Sequence, residues 1–372
     1  MKTTPFAIER YFARHEFSAR YLLSSSDCEA LTQREALGLA DEETRRLWDD
    51  LSLGYTESPG LPLLREEIAR LYDRIAPNEV LEVVPEEGIL LAMTALLEPG
   101  DHVVATFPGY ESLYQIARDR GCEVTRWLPD EHAGWRFDPE ALRSALRPAT
   151  RLVVVNFPHN PTGYLPSRAE FRAIVELVSR SGAYLFCDEM YRFLELDGAD
   201  RLPSAVDLSE RAVALCGLSK AFSAPGLRVG WLVTRDARLL ERAMIGKDYT
   251  TICASAPSEI LALAVLRARE RIVARNLAIV RANIAVFEDF VRRRPGLVSW
   301  TPPRAGSIAF ARLGAPEGAA AFCGRLVEET GAMLVPSRVF DYGDEHVRIG
   351  LGRRAFAAGL AAVEEWLATR EG

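Results

Sequence analysis

The stretch Ala212-Val213-Ala214-Leu215-Cys216-Gly217-Leu218-Ser219-Lys220-Ala221-Phe222-Ser223-Ala224-Pro225-Gly226-Leu227-Arg228-Val229-Gly230 decides the reading of this 372-residue chain. It opens on an unbroken apolar run, the pattern of a strand buried on both faces. At the carboxyl end of that run it turns polar and delivers Ser219 and Lys220. Pro225-Gly226 then signals a loop, and a second apolar run follows at 229–234. Lysine is scarce here: among 45 basic residues it occurs only at positions 2, 220 and 247, and the rest are arginine. An arginine cannot replace a primary amine, because its guanidinium stays protonated and does not attack an aldehyde. Lys2 lies in a terminus expected to fray, which leaves Lys220 and Lys247 as candidates for amine chemistry.

Outward from this stretch, short apolar runs alternate with helix-period segments. Residues 102–107, 123–128, 151–157, 183–187, 212–216 and 229–234 read as strands, and 138–146 and 166–181 as helices. Apolar strands separated by helices imply an α/β fold with a mainly parallel sheet covered on both faces. Residues 258–294 read as largely helical, stopped by Pro295. Runs at 297–300, 307–312, 332–335 and 346–349, closed by a helix at 355–367, suggest a smaller α+β domain. The expected division is an N-terminal segment 1–40 packing with that small domain, a large domain 41–280 and the small domain 281–372.

The strand ends concentrate chemistry. The run at 151–157 leads into His159, Asn160, Pro161, Thr162 and Gly163, and that at 183–187 into Asp188, Glu189, Met190 and Tyr191. In open parallel sheets ligands sit outside the carboxyl ends of the strands. Neighbouring strands would thus bring an amide, a carboxylate, a phenol and an amine to one crevice.

From Gly217 to Gly230, and in the order Asn160, Asp188, Tyr191, the chain resembles the class I and II aminotransferases. The resemblance implies the type I fold of pyridoxal phosphate (PLP) enzymes: a large domain with a mainly parallel seven-stranded sheet, a smaller α+β domain, and PLP as cofactor. It implies Lys220 as the amine that joins the cofactor covalently and, once freed, shuttles the substrate Cα proton. Asp188 would keep the pyridine nitrogen protonated through a charge-assisted bond. Asn160 and Tyr191 would bond the cofactor's phenolic oxygen, Asn160 lying beside the substrate as well. Arg228 and Ser219 would hold the phosphate, and Tyr110 would stack on the ring. Tyr55 resembles the tyrosine that reaches the phosphate in a neighbouring subunit, which makes the active unit a homodimer with shared sites. Arg348 resembles the arginine that grips the substrate α-carboxylate. Lys247 and Tyr249 lie where relatives pass a loop to the partner's site and are candidates for reading the far end of the substrate. Ser25, in Ser24-Ser25-Ser26-Asp27, reads equally as linker or as substrate contact.

The chain departs from the family pattern at two places. Where relatives open a helix with a Gly/Ser/Thr phosphate loop, it has Val84-Pro85-Glu86-Glu87-Gly88. Proline in the first turn and acids behind it start a helix well, yet a carboxylate repels a phosphate dianion. Backbone N–H groups of Glu86 and Glu87 are therefore expected to face the phosphate, with the Glu86 side chain turned away or met by an arginine. The second departure is Gly217, a serine in many relatives.

Transfer of an amino group between an L-amino acid and a 2-oxo acid is the first expectation. Tyr11-Phe12, Ser24-Ser25-Ser26, the segments 151–161 and 225–231, and Val335-Pro336-Ser337-Arg338-Val339-Phe340 are also similar to the branch that includes capreomycidine synthase. That likeness makes β-elimination and cyclisation of a modified amino acid the alternative. A cofactor-binding DNA regulator is disfavoured by the net charge of −7. No cysteine or histidine shows metal-ligand spacing, so no metal is expected. With no apolar leader and no run long enough to span a bilayer, a cytoplasmic protein without membrane or nucleic-acid partners is expected.

Overall fold

The computed structural model describes residues 3–370, so Lys2 lies outside the described residues. Its large sheet has seven strands: β1 Val80–Val83, β2 His102–Thr106, β3 Glu123–Trp127, β4 Thr150–Asn156, β5 Tyr184–Asp188, β6 Ala212–Gly217 and β7 Gly230–Val233. Their order is β1-β7-β6-β5-β4-β2-β3. Pairings from β6 through β3 are parallel, and β7 alone runs against both of its neighbours. Side chains alternate across a strand. Val153, Val155, Cys187, Ala214 and Cys216 therefore enter one apolar layer, while Leu152, Val154, Phe186, Val213 and Leu215 enter the other. Burial on both sides is why these strands read as continuous apolar runs.

β1 is the strand that the sequence does not announce. Its apolar run is interrupted by Glu82, which is nonetheless buried at 1% exposure. The crossover helices carry ordinary start and stop signals. Arg168–Ser181 begins with Ser167 and Glu170 in a reciprocal cap and ends at Gly182, whose φ of +79° suits glycine. Pro85–Leu96 begins with proline in its first turn, and Glu87 accepts the Val84 N–H at 3.1 Å.

The helical stretch at 258–294 is two helices, Ala256–Arg267 and Arg269–Arg293, broken at Ala268 (φ −96°, ψ 10°). The first is buried without interruption from Glu259 to Leu266. The second runs through residue 280 and touches both sides of the molecule. Asn276 reaches the Ala221 carbonyl and the Ser223 hydroxyl, and Asn283 the carbonyls of Leu351 and Arg353.

Val335–Pro336, His346–Gly350, Ile308–Leu313 and Val298–Ser299 form a second, antiparallel sheet. Tyr21–Leu22 pairs in parallel with Ala332–Met333, and the N–H of Gly350 donates to the Leu23 carbonyl at 2.7 Å. The helix Ala7–His15 sits over the junction, where the Ala7 N–H donates to Glu111 of the large sheet's flank. Among the described residues no helix is long and apolar enough to cross a membrane.

Candidate active site

Parallel strands end at one edge of the sheet, and the register aligns Asn156 with Asp188 and Asp188 with Leu215. A cleft of about 670 Å³ opens there, walled by the sheet edge, the N-terminal helix and residues such as Arg348 of the antiparallel sheet. Lys220, Asp188, Asn160, Tyr191, Tyr110, Ser219, Arg228, Glu86, Ser25 and Arg348 all line it. The fold thus gathers residues as far apart in the chain as Ser25 and Arg348.

Their electrostatics suit a bound electrophile. Lys220 Nζ donates to Ser26 Oγ at 2.7 Å, and burial lowers its pKa while Asp27 and Asp188 oppose the shift. Burial also raises Asp188, to about 6, opposed by the Met190 N–H and by Lys220. Met190 N–H donates to one carboxylate oxygen at 3.0 Å. Arg348 is 1% exposed. One of its terminal nitrogens donates to Asn160 Oδ1 at 3.3 Å and the other to the Ser24 carbonyl at 3.0 Å. Among the described residues its Nε meets no partner, and the buried Tyr191 hydroxyl, whose pKa burial pushes up, meets no hydrogen-bond partner of good geometry, Ser26 being the side chain that faces it. Unused polar groups in a dry wall are expensive unless a ligand meets them.

Local backbone conformation aims the lysine. Ser223 (φ 59°) and Arg228 (φ 57°) adopt the left-handed region, which costs non-glycine residues free energy. Asn276 offsets that strain by bonding Ala221 O at 2.9 Å and Ser223 Oγ at 2.7 Å. Arg228 is exposed and donates to the Pro225 carbonyl at 2.9 Å.

The helix start at Pro85 corrects one expectation. Among the described residues Glu86 meets no arginine, and it does not turn from the cleft. It lines the cleft, where the hydroxyls of Ser112 and Tyr110 face it. Burial raises its pKa to about 7, the two hydroxyls oppose the shift, and Glu9 and Asp188 add to it. Burial, rather than an arginine, is what this carboxyl meets here, and it favours the neutral form. Glu87, by contrast, does not line the cleft. Its carboxylate caps Val84 and takes the hydroxyls of Thr250 and Thr251.

A testable pH dependence follows. A carboxyl with a raised folded pKa favours the folded state while protonated. Its contribution is full below the unfolded value and is lost as pH rises through the folded one. Asp188 acts with the same sign. Glu86→Gln, neutral throughout, is expected to flatten the fall in thermal midpoint of the cofactor-free protein between about pH 5 and pH 7. An unchanged slope in thermal melts would contradict the assignment.

Lys247, Tyr249 and Tyr55 do not join the cleft of their own chain. Lys247 is buried with Nζ on the Ser58 carbonyl, while Tyr55 and Tyr249 stand in solvent at 93% and 89% exposure. The sequence reading missed Glu9 and Glu16, and held Ser26 and Asp27 only as part of the run 24–29; all four line the cleft. Glu9 accepts the Tyr110 hydroxyl at 3.0 Å, and Asp27 pairs with Arg353. The polar run at 24–29 was the available signal for two of them. Nothing in the chain near Glu9 and Glu16 distinguishes them from an ordinary amphipathic helix. Among the described residues no group of histidine, cysteine or acidic side chains could hold a metal ion.

Residues 22–355 match the family model for aminotransferase class I and II. The chain is 33% identical over 368 residues to capreomycidine synthase from Streptomyces vinaceus, covering 97% of this chain and 93% of that one. A PLP-dependent aminotransferase from Streptococcus suis superposes with a TM-score of 0.92 at 31% identity, over 99% of both chains. The PLP-dependent cyclase OrfR superposes with a TM-score of 0.90 at 29% identity, covering 100% of this chain and 98% of the other. The cleft fits that coenzyme by its own chemistry: an amine for an aldehyde, a buried acid for a ring nitrogen, an unpartnered phenol for a phenolic oxygen. The chain is a PLP-dependent enzyme of the class I and II aminotransferase family.

Proposed function

We propose that the enzyme transfers an amino group between an L-amino acid and a 2-oxo acid, with Lys220 as the catalytic amine. The observation that carries this reading is the convergence of Lys220, Asp188, Asn160, Tyr191 and Arg348 on one cleft. Bound PLP supplies an electron sink for negative charge at the substrate Cα. Arg348 grips the α-carboxylate with its planar fork, its buried Nε and the neighbouring terminal nitrogen being suited to two parallel bonds. That grip fixes the Cα–H bond relative to Lys220. The lysine, lowered in pKa by burial, would take and move the Cα proton. Asp188, as a carboxylate, would hold a proton on the ring nitrogen, while Asn160 and Tyr191 would hold the phenolic oxygen. Arg228, Ser219 and the N–H group of Glu86 would serve the phosphate.

Arg348→Lys keeps the charge and loses the fork. It is expected to lower kcat/KM roughly 10- to 100-fold, mostly through KM. Steady-state kinetics checks this; an unchanged KM would remove Arg348 from the carboxylate site.

The working unit in this reading is a homodimer. Leu53, Tyr55, Tyr249 and Ile252 are large apolar side chains at least half exposed, on two adjacent loops. Monomers rarely leave such a patch open. Tyr55 would enter the partner's cleft beside the phosphate.

A second reading is favoured by two of the similar proteins named above, a synthase and a cyclase. In it the same residues carry loss of a β-substituent and ring closure on a modified amino acid. Incubating the enzyme with individual amino acids, without an acceptor, separates the two. Stoichiometric 2-oxo acid supports transfer; failure of every amino acid to give it rejects transfer. Ammonia or a cyclic product supports the second reading.

A further inference from the structure

The two lysines among the described residues have opposite surroundings. Lys220 opens on the cleft, whereas Lys247, at 1% exposure, is buried away from it. Lys247 ends the helix Ala237–Lys247 and donates to the Ser58 carbonyl at 2.6 Å. Three carboxyls face its ammonium: Glu82 of β1, Glu87 of the phosphate-side helix and Glu259 of the helix Ala256–Arg267. Glu82 and Glu259 are each 1% exposed. Their carboxyls face one another, and burial together with that meeting raises the Glu82 pKa well above the ordinary range.

All of these contacts converge on one loop, residues 51–60. Its Ser58 carbonyl takes Lys247, and its Pro59 carbonyl takes the Glu82 N–H at 2.9 Å. Leu61 N–H, just beyond it, donates to Glu259 Oε1 at 2.6 Å. Gly60, at φ +110°, lies so close that a Cβ there would stand 2.6 Å from Glu82 Oε2. Neither Glu82 oxygen nor Glu259 Oε2 meets an ordinary donor among the described residues. Burying two acids and an ammonium costs free energy that an apolar trio of equal size would not. Stability therefore does not account for the cluster; fixing the loop does. The loop carries Tyr55 and Leu53 into solvent, where they meet nothing of their own chain's cleft.

We propose that Lys247, Glu82 and Glu259 are positioning residues that hold the loop 51–60 so that Tyr55 completes the cofactor site of a second copy of the chain. The inference rests on the dimer reading above. It assigns Lys247 to the partner's coenzyme site through the loop, and not to contact with substrate.

Hybrid dimers test it without turnover. Borohydride fixes PLP to Lys220, so the fixed fraction against PLP concentration reads the affinity of each lysine-bearing site. The Lys247→Met homodimer is expected to need about tenfold more PLP for half-saturation, the loss of one bond to a charged phosphate. In a hybrid with Lys220→Ala, the only Lys220 sits on the Lys247→Met chain, facing an unaltered loop from its partner. Half-saturation there is expected to return to the wild-type value. An unshifted homodimer, or a shift that persists in the hybrid, overturns the proposal. The double variant Glu82→Gln/Lys247→Met removes a carboxyl with the ammonium, so it keeps the test open if the single variant fails to fold. It is expected to show the same shift and the same rescue. Sedimentation separates the two layers: a monomeric wild-type enzyme overturns the dimer reading itself. A wild-type dimer whose hybrid stays shifted overturns the cluster's role alone.

Discussion

Lys220→Ala is expected to leave a folded protein that still takes up PLP and to reduce turnover by at least about 10⁴-fold. The magnitude follows from the lysine's two tasks, covalent attachment of the coenzyme and transfer of the Cα proton. Nothing nearby substitutes for it. Among the described residues the other lysine is Lys247, which is held by Ser58 outside the cleft. The arginines that do line the cleft, Arg228, Arg348 and Arg353, are too basic to act as nucleophile or base. Lys220→Arg should therefore be as inactive as the alanine variant. Folding should survive, because Lys220 makes one side-chain bond, to Ser26, and the surrounding turn is anchored by Asn276. Single-turnover kinetics and coenzyme titration check both halves; turnover within tenfold of wild type would be incompatible with the mechanism.

Asp188→Asn is expected to lower kcat by about 10²- to 10³-fold, with a smaller change in KM. The substitution keeps the shape and the bond from Met190, but it removes the negative charge that would hold a proton on the ring nitrogen. Without that proton the ring is a poorer sink for charge developing at Cα. In the coenzyme-free protein burial raises Asp188 to about 6, so the site spends free energy to keep a carboxylate in a dry place. A cationic ring nitrogen offsets that cost, and an amide cannot repeat the arrangement. Steady-state kinetics checks the split; a loss confined to KM would argue that Asp188 only shapes the pocket.

The strands β2 and β4 to β7 were legible because burial on both faces writes itself as apolar runs, and their polar ends gave Asn160, Asp188 and Lys220. β3, at the sheet edge, carries Glu123, Thr125 and Arg126 and is only partly buried. β1 was not legible, because Glu82 occupies its centre for a reason that lies in tertiary contacts with Gly60 and Glu259. The break at Ala268 also escaped, since alanine and arginine favour helix on both sides of it. In the site, sequence order could not say that Lys247 is buried against a loop while Glu86 faces the cleft. Both outcomes depend on which neighbours neutralise them.

The departure from the family pattern at Gly217 lies in a crowded place. A Cβ at 217 would come within 3.2 Å of Pro85 Cγ, and one at Gly230 within 2.8 Å of the same atom. The Gly230 Cα at 3.0 Å and the Val229 carbonyl oxygen at 3.1 Å crowd a side chain at 217 more closely still.

Borohydride reduction of the PLP-loaded enzyme, followed by peptide mass mapping, tests the central assignment most directly. The coenzyme mass is expected on the peptide bearing Lys220, in a stoichiometric amount. Its appearance on Lys2 or Lys247 instead, or on no lysine at all, would contradict the identification of the active site.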